Sequence, residues 1–229
     1  MFWQEDEDKT LPDAVPDAVL DVSFAIRCKR LPLDHAWALS QAIRQALPWF
    51  ADEPLAGVHT IHVAESGNGW QRPEDDGQFL IPSRRTRLLI RIPKHRHPAL
   101  MTLSGQTLAI AGQTLVVGDS RDKPFINAPV LFARYVLSAV EEEEPAFLAR
   151  MAAEIRNRTE GFKVRKMLCG KSHALYTPEG MQHTRHLMIA DLDNAVSIRL
   201  QQCGLGGGQQ LGCGLLLPHK GIKTLKPAD

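Results

Sequence analysis

The sequence contains no run of about 18 apolar residues, so no membrane-spanning helix is expected. Residues 1–17 are acidic where a secretory leader would be basic, and no such leader is read there. The four cysteines, Cys28, Cys169, Cys203 and Cys213, form no C-x-x-C pair; free thiols in a cytoplasmic protein are expected. No Gly-Lys-Ser/Thr follows a glycine loop, and Gln209 stands where a dinucleotide fingerprint beginning at Gly204 needs its last glycine, so both nucleotide motifs are excluded. The nine histidines lack metal-ligand spacing: His59 and His62, like His183 and His186, point to opposite faces of a strand, and His95 and His97 have no Cys or carboxylate in register. Neither a metal nor a cofactor is expected.

What is present describes a water-facing globular chain. Hydrophobic residues make up 44% and charged residues 23%, and 229 residues suffice for one large or two small domains with a sizeable core. The net charge of +1 hides an asymmetry, because residues 1–18 carry six acids against Lys9 and leave +6 on the remainder. Glu141 to Glu144 concentrate four more acids, so the other surface is basic enough to accept a nucleic acid.

Residues 1–18 read as an acidic flexible leader. Residues 19–28 alternate as a half-buried strand, and Asp34 is placed to cap a helix with the stripe Leu39, Ile43, Ala46, Leu47, stopped at Pro48. Strands follow at 57–64 and 86–92, a short helix at 94–103, and a hairpin or bent strand at 108–117. This order is the ferredoxin-like unit, and the second half repeats it: strand 130–139, helix 145–157, strands 162–169 and 185–191, a segment 195–202 and a last strand 211–217. Segment 195–202 alternates like a strand, yet Asp193 as cap and Gly204 as stop favour a helix. The expected fold is α+β: two tandem ferredoxin-like (RRM-like) βαββαβ domains, 19–120 and 126–222.

Residues 204–214 read GLGGGQQLGCG, a loop whose exposed peptide N–H groups would suit phosphate. Written G-h-G, five residues, G-h-G, it resembles the C-terminal glycine-rich loop of the CRISPR-associated RAMP superfamily. The resemblance extends through residues 21–30, HVAESGNGW at 62–70, RKMLCG at 165–170 and LPHKGI at 217–222. Together these look most like the repeat-processing endoribonucleases, the Cas six family, in their myxobacterial-type branch, and the match runs over about residues 19–222.

The resemblance implies cleavage of CRISPR precursor RNA within each repeat, without metal, by attack of a ribose 2′-OH that leaves a 2′,3′-cyclic phosphate and a 5′-OH. It also implies retention of the crRNA, with other effector-complex subunits as further partners and no membrane. The alternative is a non-catalytic RAMP subunit that binds crRNA. His35, in the first turn of the first helix, reads from the residues alone as a surface capping-region histidine or as a neutral base near phosphate. The family commonly places its catalytic histidine there, which implies His35 as general base or acid, with Tyr176, Ser172 or His62 as alternatives. Lys29 and Arg30, otherwise a solvated loop, would neutralise the phosphorane together with Lys171. Arg84, Arg85, Arg87 and Arg91, then Lys163, Arg165, Lys166 and Lys171, then Lys220, Lys223 and Lys226 form three basic clusters. With Gly206, Gly207, Gly208 and Gly212 of the loop, the first two clusters are expected on RNA. Trp70 is either a stacking platform for an unpaired base or a loop anchor.

Overall fold

The computed structural model describes residues 18–63 and 79–219. The acidic leader, Trp70 with its loop, and Lys220, Lys223 and Lys226 lie outside the described residues. Among those described, no helix is long and apolar enough to cross a membrane.

The chain runs β1 (Val19–Cys28), β2 (Leu31–Pro32), α1 (Ala36–Ala46), β3 (Gly57–Val58), β4 (Phe79–Leu80), β5 (Arg87–Pro93), α2 (His97–Met101), β6 (Thr107–Ile110) and β7 (Gln113–Lys123). It continues with β8 (Val130–Leu137), α3 (Glu144–Arg158), β9 (Lys166–Thr177), β10 (Gly180–Ala190), α4 (Asn194–Cys203) and β11 (Leu217–Pro218). The first sheet has the order β3-β5-β1-β7-β6 and the second β11-β8-β10-β9, with every pairing antiparallel. In each, the first and third strands of a βαββαβ unit are central, which is the ferredoxin-like order; β6 is an added edge strand. β2 and β4 form a separate small ribbon. Alternation on β1 and β5 sends Leu20, Val22, Phe24, Leu88, Ile90 and Ile92 into one core with Leu39 and Ile43 of α1. A second core joins Leu131, Ala133, Leu187 and Ile189 to Phe147, Met151 and Ile155 of α3 and Leu200 of α4.

The ambiguous segment is a helix: Asp193 caps α4 by accepting from Val196 N–H at 2.8 Å, and Gly204 ends it. Several expectations need correction. Asp34 does not cap α1. The cap position is His35, without a side-chain cap bond, while Asp34 Oδ2 accepts from the Tyr176 N–H at 3.1 Å and ties β9 to the first half. The strand expected at 57–64 pairs only over Gly57–Val58, and the one expected at 162–169 begins at Lys166 and runs on to Thr177, closing a tight hairpin with β10. The last strand is confined to Leu217–Pro218, because positive φ at Gly212 (87°) and Gly214 (64°) keeps the preceding residues from extending.

On its face turned away from its own helices, the first sheet meets the second half at a buried ionic joint. Asp21 of β1 and Arg91 of β5 are cross-strand partners, bonded through both carboxylate oxygens at 2.8 and 3.1 Å. Arg91 also donates to the carbonyls of Gln201 and Leu216 in the second half, and its guanidinium lies over Phe125. At 1% exposure it is no part of a basic RNA-binding face, contrary to expectation. Burial would raise the Asp21 carboxyl, but Arg91 and His59 outweigh it and hold the group well below the usual carboxylate range. His59 Nε2 stands 3.5 Å from Asp21 Oδ1, and burial pushes the imidazole pKa down although Asp21 opposes this.

The consequence for stability has a definite sign. An unfolded imidazole titrates near 6.5, whereas folded His59 accepts its proton only at lower pH, so the unfolded chain binds more protons below about pH 6.5. Stability is therefore expected to be complete above that pH and to fall as the medium is acidified, while the Asp21 contribution is lost progressively from the ordinary carboxylate range downwards. In thermal melts between pH 7 and 5, His59→Gln should reduce the pH dependence of Tm. An unaltered slope would show that His59 is not among the groups responsible.

Candidate functional site

Away from the Asp21 and Arg91 joint, the two open sheet faces diverge into a cleft of two adjoining cavities. The first, about 380 Å³, is walled by the start of α1, residues 60–63 and 79–81, and by Arg134, Tyr135 and residues 173–175. The second, about 300 Å³, lies between Arg85, Arg87 and Leu89 on one side and Phe132, Arg134, Gly212 and Leu217 on the other. Thr60, His62, Arg134 and Tyr135 border both cavities. Both cavities of the cleft are thus lined by residues of both halves of the chain.

A line of rings starts at its wall and continues past it to His186 and His219, which border neither cavity. His62 faces Tyr135 with centroids 6.3 Å apart, and Tyr135 meets the edge of His173 at 5.8 Å. His173 stacks on His186 at 4.6 Å, His186 meets Phe132 at 5.4 Å, and Phe132 meets His219 at 5.9 Å. Of these, His62 is exposed and Tyr135 is buried, with Arg134 exposed beside it. Burial, then His173, Arg134 and Lys171, push the pKa of His186 down to about 4.

Of the candidate acid–base residues, His62 is exposed in the cleft, its Nε2 2.8 Å from Thr60 Oγ1. His35 borders the first cavity but is 2% exposed, and both ring nitrogens engage backbone. Nδ1 lies 2.9 Å from Pro32 O and 3.2 Å from Leu33 O, while Nε2 accepts from the Ile61 N–H at 2.9 Å. Two carbonyls at Nδ1 and a donor at Nε2 fix the Nδ1–H tautomer, so this geometry presents neither nitrogen to a substrate. What His35 does hold is the segment that carries His62. Tyr176 and Ser172 are exposed on β9 and border neither cavity.

The cations are redistributed as well. Lys29 and Arg84 border a separate cavity, Arg30 bonds Gln113 Oε1 and covers the Phe79 ring, and neither Lys29 nor Arg30 lines either cavity of the cleft. Arg85 and Arg87 border the second cavity. Arg165 and Lys166 lie at the far start of edge strand β9, with Lys166 Nζ 3.0 Å from Asp191; Lys171, on the same strand, acts on His186. Sequence reasoning missed Arg134, Tyr135, His173 and His186. The signal for Arg134 was its isolation in the apolar strand VLFARYVL.

The glycine-rich loop works chiefly as a joint. Gly206 N–H, expected to face phosphate, is bonded to both carboxylate oxygens of Glu154 at 3.0 and 3.1 Å. Gly212 donates to Gln209 O, and a Cβ there would press on Thr60. Gly214 is required outright, since any Cβ would overlap the carbonyl of Leu205. Gln210 plugs into the first half: it accepts from Arg44 at 2.7 Å and donates to Phe50 O at 2.7 Å. Burial drives the Cys213 thiol up to about 12, so it is inert in this setting. Gly207 and Gly208 remain half-buried on the loop's outer turn.

Comparison with known proteins agrees with this architecture. The family model described as Cas6 Crispr matches residues 20–221. The CRISPR-associated endonuclease Cas6 of Myxococcus xanthus is 27% identical over 200 residues, spanning 87% of this chain and 81% of that protein. Among solved structures, a CRISPR-associated protein Cas6 superposes with a TM-score of 0.62 at 12% identity, covering 88% of this chain and all of the other. A Cas6-related protein from Pyrococcus furiosus gives 0.61 at 12% identity over 90% of this chain and 100% of its own. A RAMP protein described as binding different RNA substrates gives 0.60 at 13%, over 86% and 98%. At these identities the structural likenesses establish the fold.

Proposed function

The chain belongs to the Cas6 CRISPR family, and on that premise we propose that it is an endoribonuclease that cuts CRISPR precursor RNA within its repeats and retains the crRNA for other subunits of an effector complex. The observation that carries this reading is the cleft between the open sheet faces, where exposed His62 and Arg134 share the border of both cavities. Repeat RNA lies along this cleft.

In the reaction, the 2′-OH before the scissile phosphate loses its proton and attacks phosphorus; the new P–O2′ bond forms as the bond to the 5′-oxygen breaks. That oxygen leaves as a 5′-OH after taking a proton, and the other product ends in a 2′,3′-cyclic phosphate. His62 is the proton-transfer group, and Arg134 stabilises the charge that grows on the phosphorane. His35 positions His62 through Ile61.

A cleavage assay on repeat RNA tests the reading. The protein is expected to cut in excess EDTA, and one 2′-deoxy substitution just before the cut should stop the reaction by deleting the nucleophile while leaving binding intact. Cleavage of the deoxy substrate, or full inhibition by chelator, would assign the chemistry to an external water or a metal. Binding without any cleavage would identify a crRNA-holding RAMP subunit.

A further inference from the structure

Residues 82–87 form a ridge between the second cavity of the cleft and a larger cavity outside it, of about 610 Å³. Ser83 lines both, Arg84 lines the outer one, and Arg85 and Arg87 line the inner one. The turn holds its own shape: Ser83 N–H donates to Thr86 Oγ1 at 2.9 Å, Arg85 N–H to Ser83 Oγ at 3.2 Å, and Arg87 Nη1 to Arg84 O at 2.7 Å. Consecutive arginines thus serve different cavities. β1 links the same two places. Its register sets Ser23 opposite Leu89 and Ala25 opposite Arg87, and both of those β5 residues line the cleft cavity. Arg27, the next residue in that alternation, lines the outer cavity, about 13 Å beyond Ser23 along the strand. Between them Ala25 lies against Gly118 of β7, and neither carries a side chain long enough to block the way; Asp119, beside Gly118, lines neither cavity.

Arg27, Lys29 and Arg84 line the outer cavity together with Ser83, Gln113 and Thr114, and no acidic residue lines it or the cavity on the inner side of the ridge. All three cations are exposed, and among the described residues none of them makes an ion pair. A nucleic-acid strand carries one negative charge per nucleotide, and unpaired cations set among hydroxyl and amide side chains suit its phosphates and sugars without reading its bases. We propose that this outer groove binds the phosphodiester backbone of the RNA strand where it continues beyond the cleft, crossing the ridge at residues 82–87. The proposal rests on the reading of the cleft as the RNA path. Continuity with the cleft, through Ser83 and along β1, favours this strand over an acidic protein segment as the occupant.

The test compares the wild type with a triple variant, Arg27→Gln, Lys29→Gln and Arg84→Gln, all at exposed positions. The ligands are repeat RNA made uncleavable by 2′-deoxy substitution and the same RNA trimmed stepwise from each end. Three phosphate contacts on a single strand contribute about two units to the slope of log affinity against log salt, so the variant's slope on full-length RNA should be shallower by about that amount. Its affinity should be lower as well. On RNA trimmed to the portion that the cleft holds, the two proteins should bind alike and with the same slope. An unchanged slope on full-length RNA would overturn the subsite and leave the groove to an acidic polypeptide. A loss that persists down to the shortest RNA bound would also overturn it, by placing the three cations on the segment inside the cleft. Either result leaves the function standing. No RNA binding by the wild type would overturn both.

Discussion

His62→Ala is expected to bind repeat RNA with near wild-type affinity and to cut it more slowly by about two to four orders of magnitude, the contribution of one general acid or base. Affinity survives because it resides in the cations and the length of the cleft, whereas proton transfer at the scissile phosphate depends on one exposed imidazole. His35→Ala should fail differently. Its ring fills a buried site and satisfies the Ile61 N–H, so its removal leaves an unpaired buried donor that costs about 1–3 kcal/mol. Cleavage then slows because the segment carrying His62 loses its anchor. The pH–rate profile separates the two roles: loss of a proton-transfer group removes a limb of the profile, while loss of a positioning group lowers the rate and keeps its shape. A His62→Ala protein that cuts normally, beside a folded His35→Ala protein that does not cut, would return the chemistry to His35.

At α4 the local signals and the structure agree, whereas at α1 the expected cap Asp34 gives way to His35. Asp193 and Gly204 bracket α4 despite the alternation of Val196, Ile198 and Leu200, because capping and a positive-φ stop outweigh a period-2 pattern that tertiary burial alone would need to enforce. The cleft was far less legible. His173 and His186 meet only because β9 and β10 pair with a register shift, and no spacing in sequence encodes a bulge. Arg134 escaped notice because clustered cations drew the search, while a single arginine on an apolar strand, set at the border of two cavities, matters more to the site than Arg165 and Lys166. His35 was expected in the first turn of α1 and stands instead at its cap position, and which atoms its nitrogens touch depends on Ile61, 26 residues away in the chain. Among the glycines, Gly206 gives its N–H to Glu154, and Gly214 is dictated by the carbonyl of Leu205, neither of which local spacing encodes.

The largest effect on stability is expected at the joint between the sheets. Arg91→Met leaves Asp21 charged and buried without its guanidinium partner, and it orphans the carbonyls of Gln201 and Leu216. Breaking a buried pair from one side costs about 3–5 kcal/mol, which for a chain of this size lowers Tm by roughly 10 °C. Asp21→Asn, which strands the guanidinium instead, should be comparably harmful. The double variant should cost clearly less than the two single effects added, since neither partner then remains as an uncompensated charge, yet stay below wild type because Arg91 also bonds the second half of the chain. Because those bonds hold the closed end of the cleft, Arg91→Met should also weaken RNA binding at a temperature where the variant is still folded. Denaturant unfolding of the four proteins at pH 7 measures the coupling. Strictly additive losses would mean that the pair is not the unit that joins the sheets, and unimpaired RNA affinity in folded Arg91→Met would mean that the width of the cleft is set elsewhere.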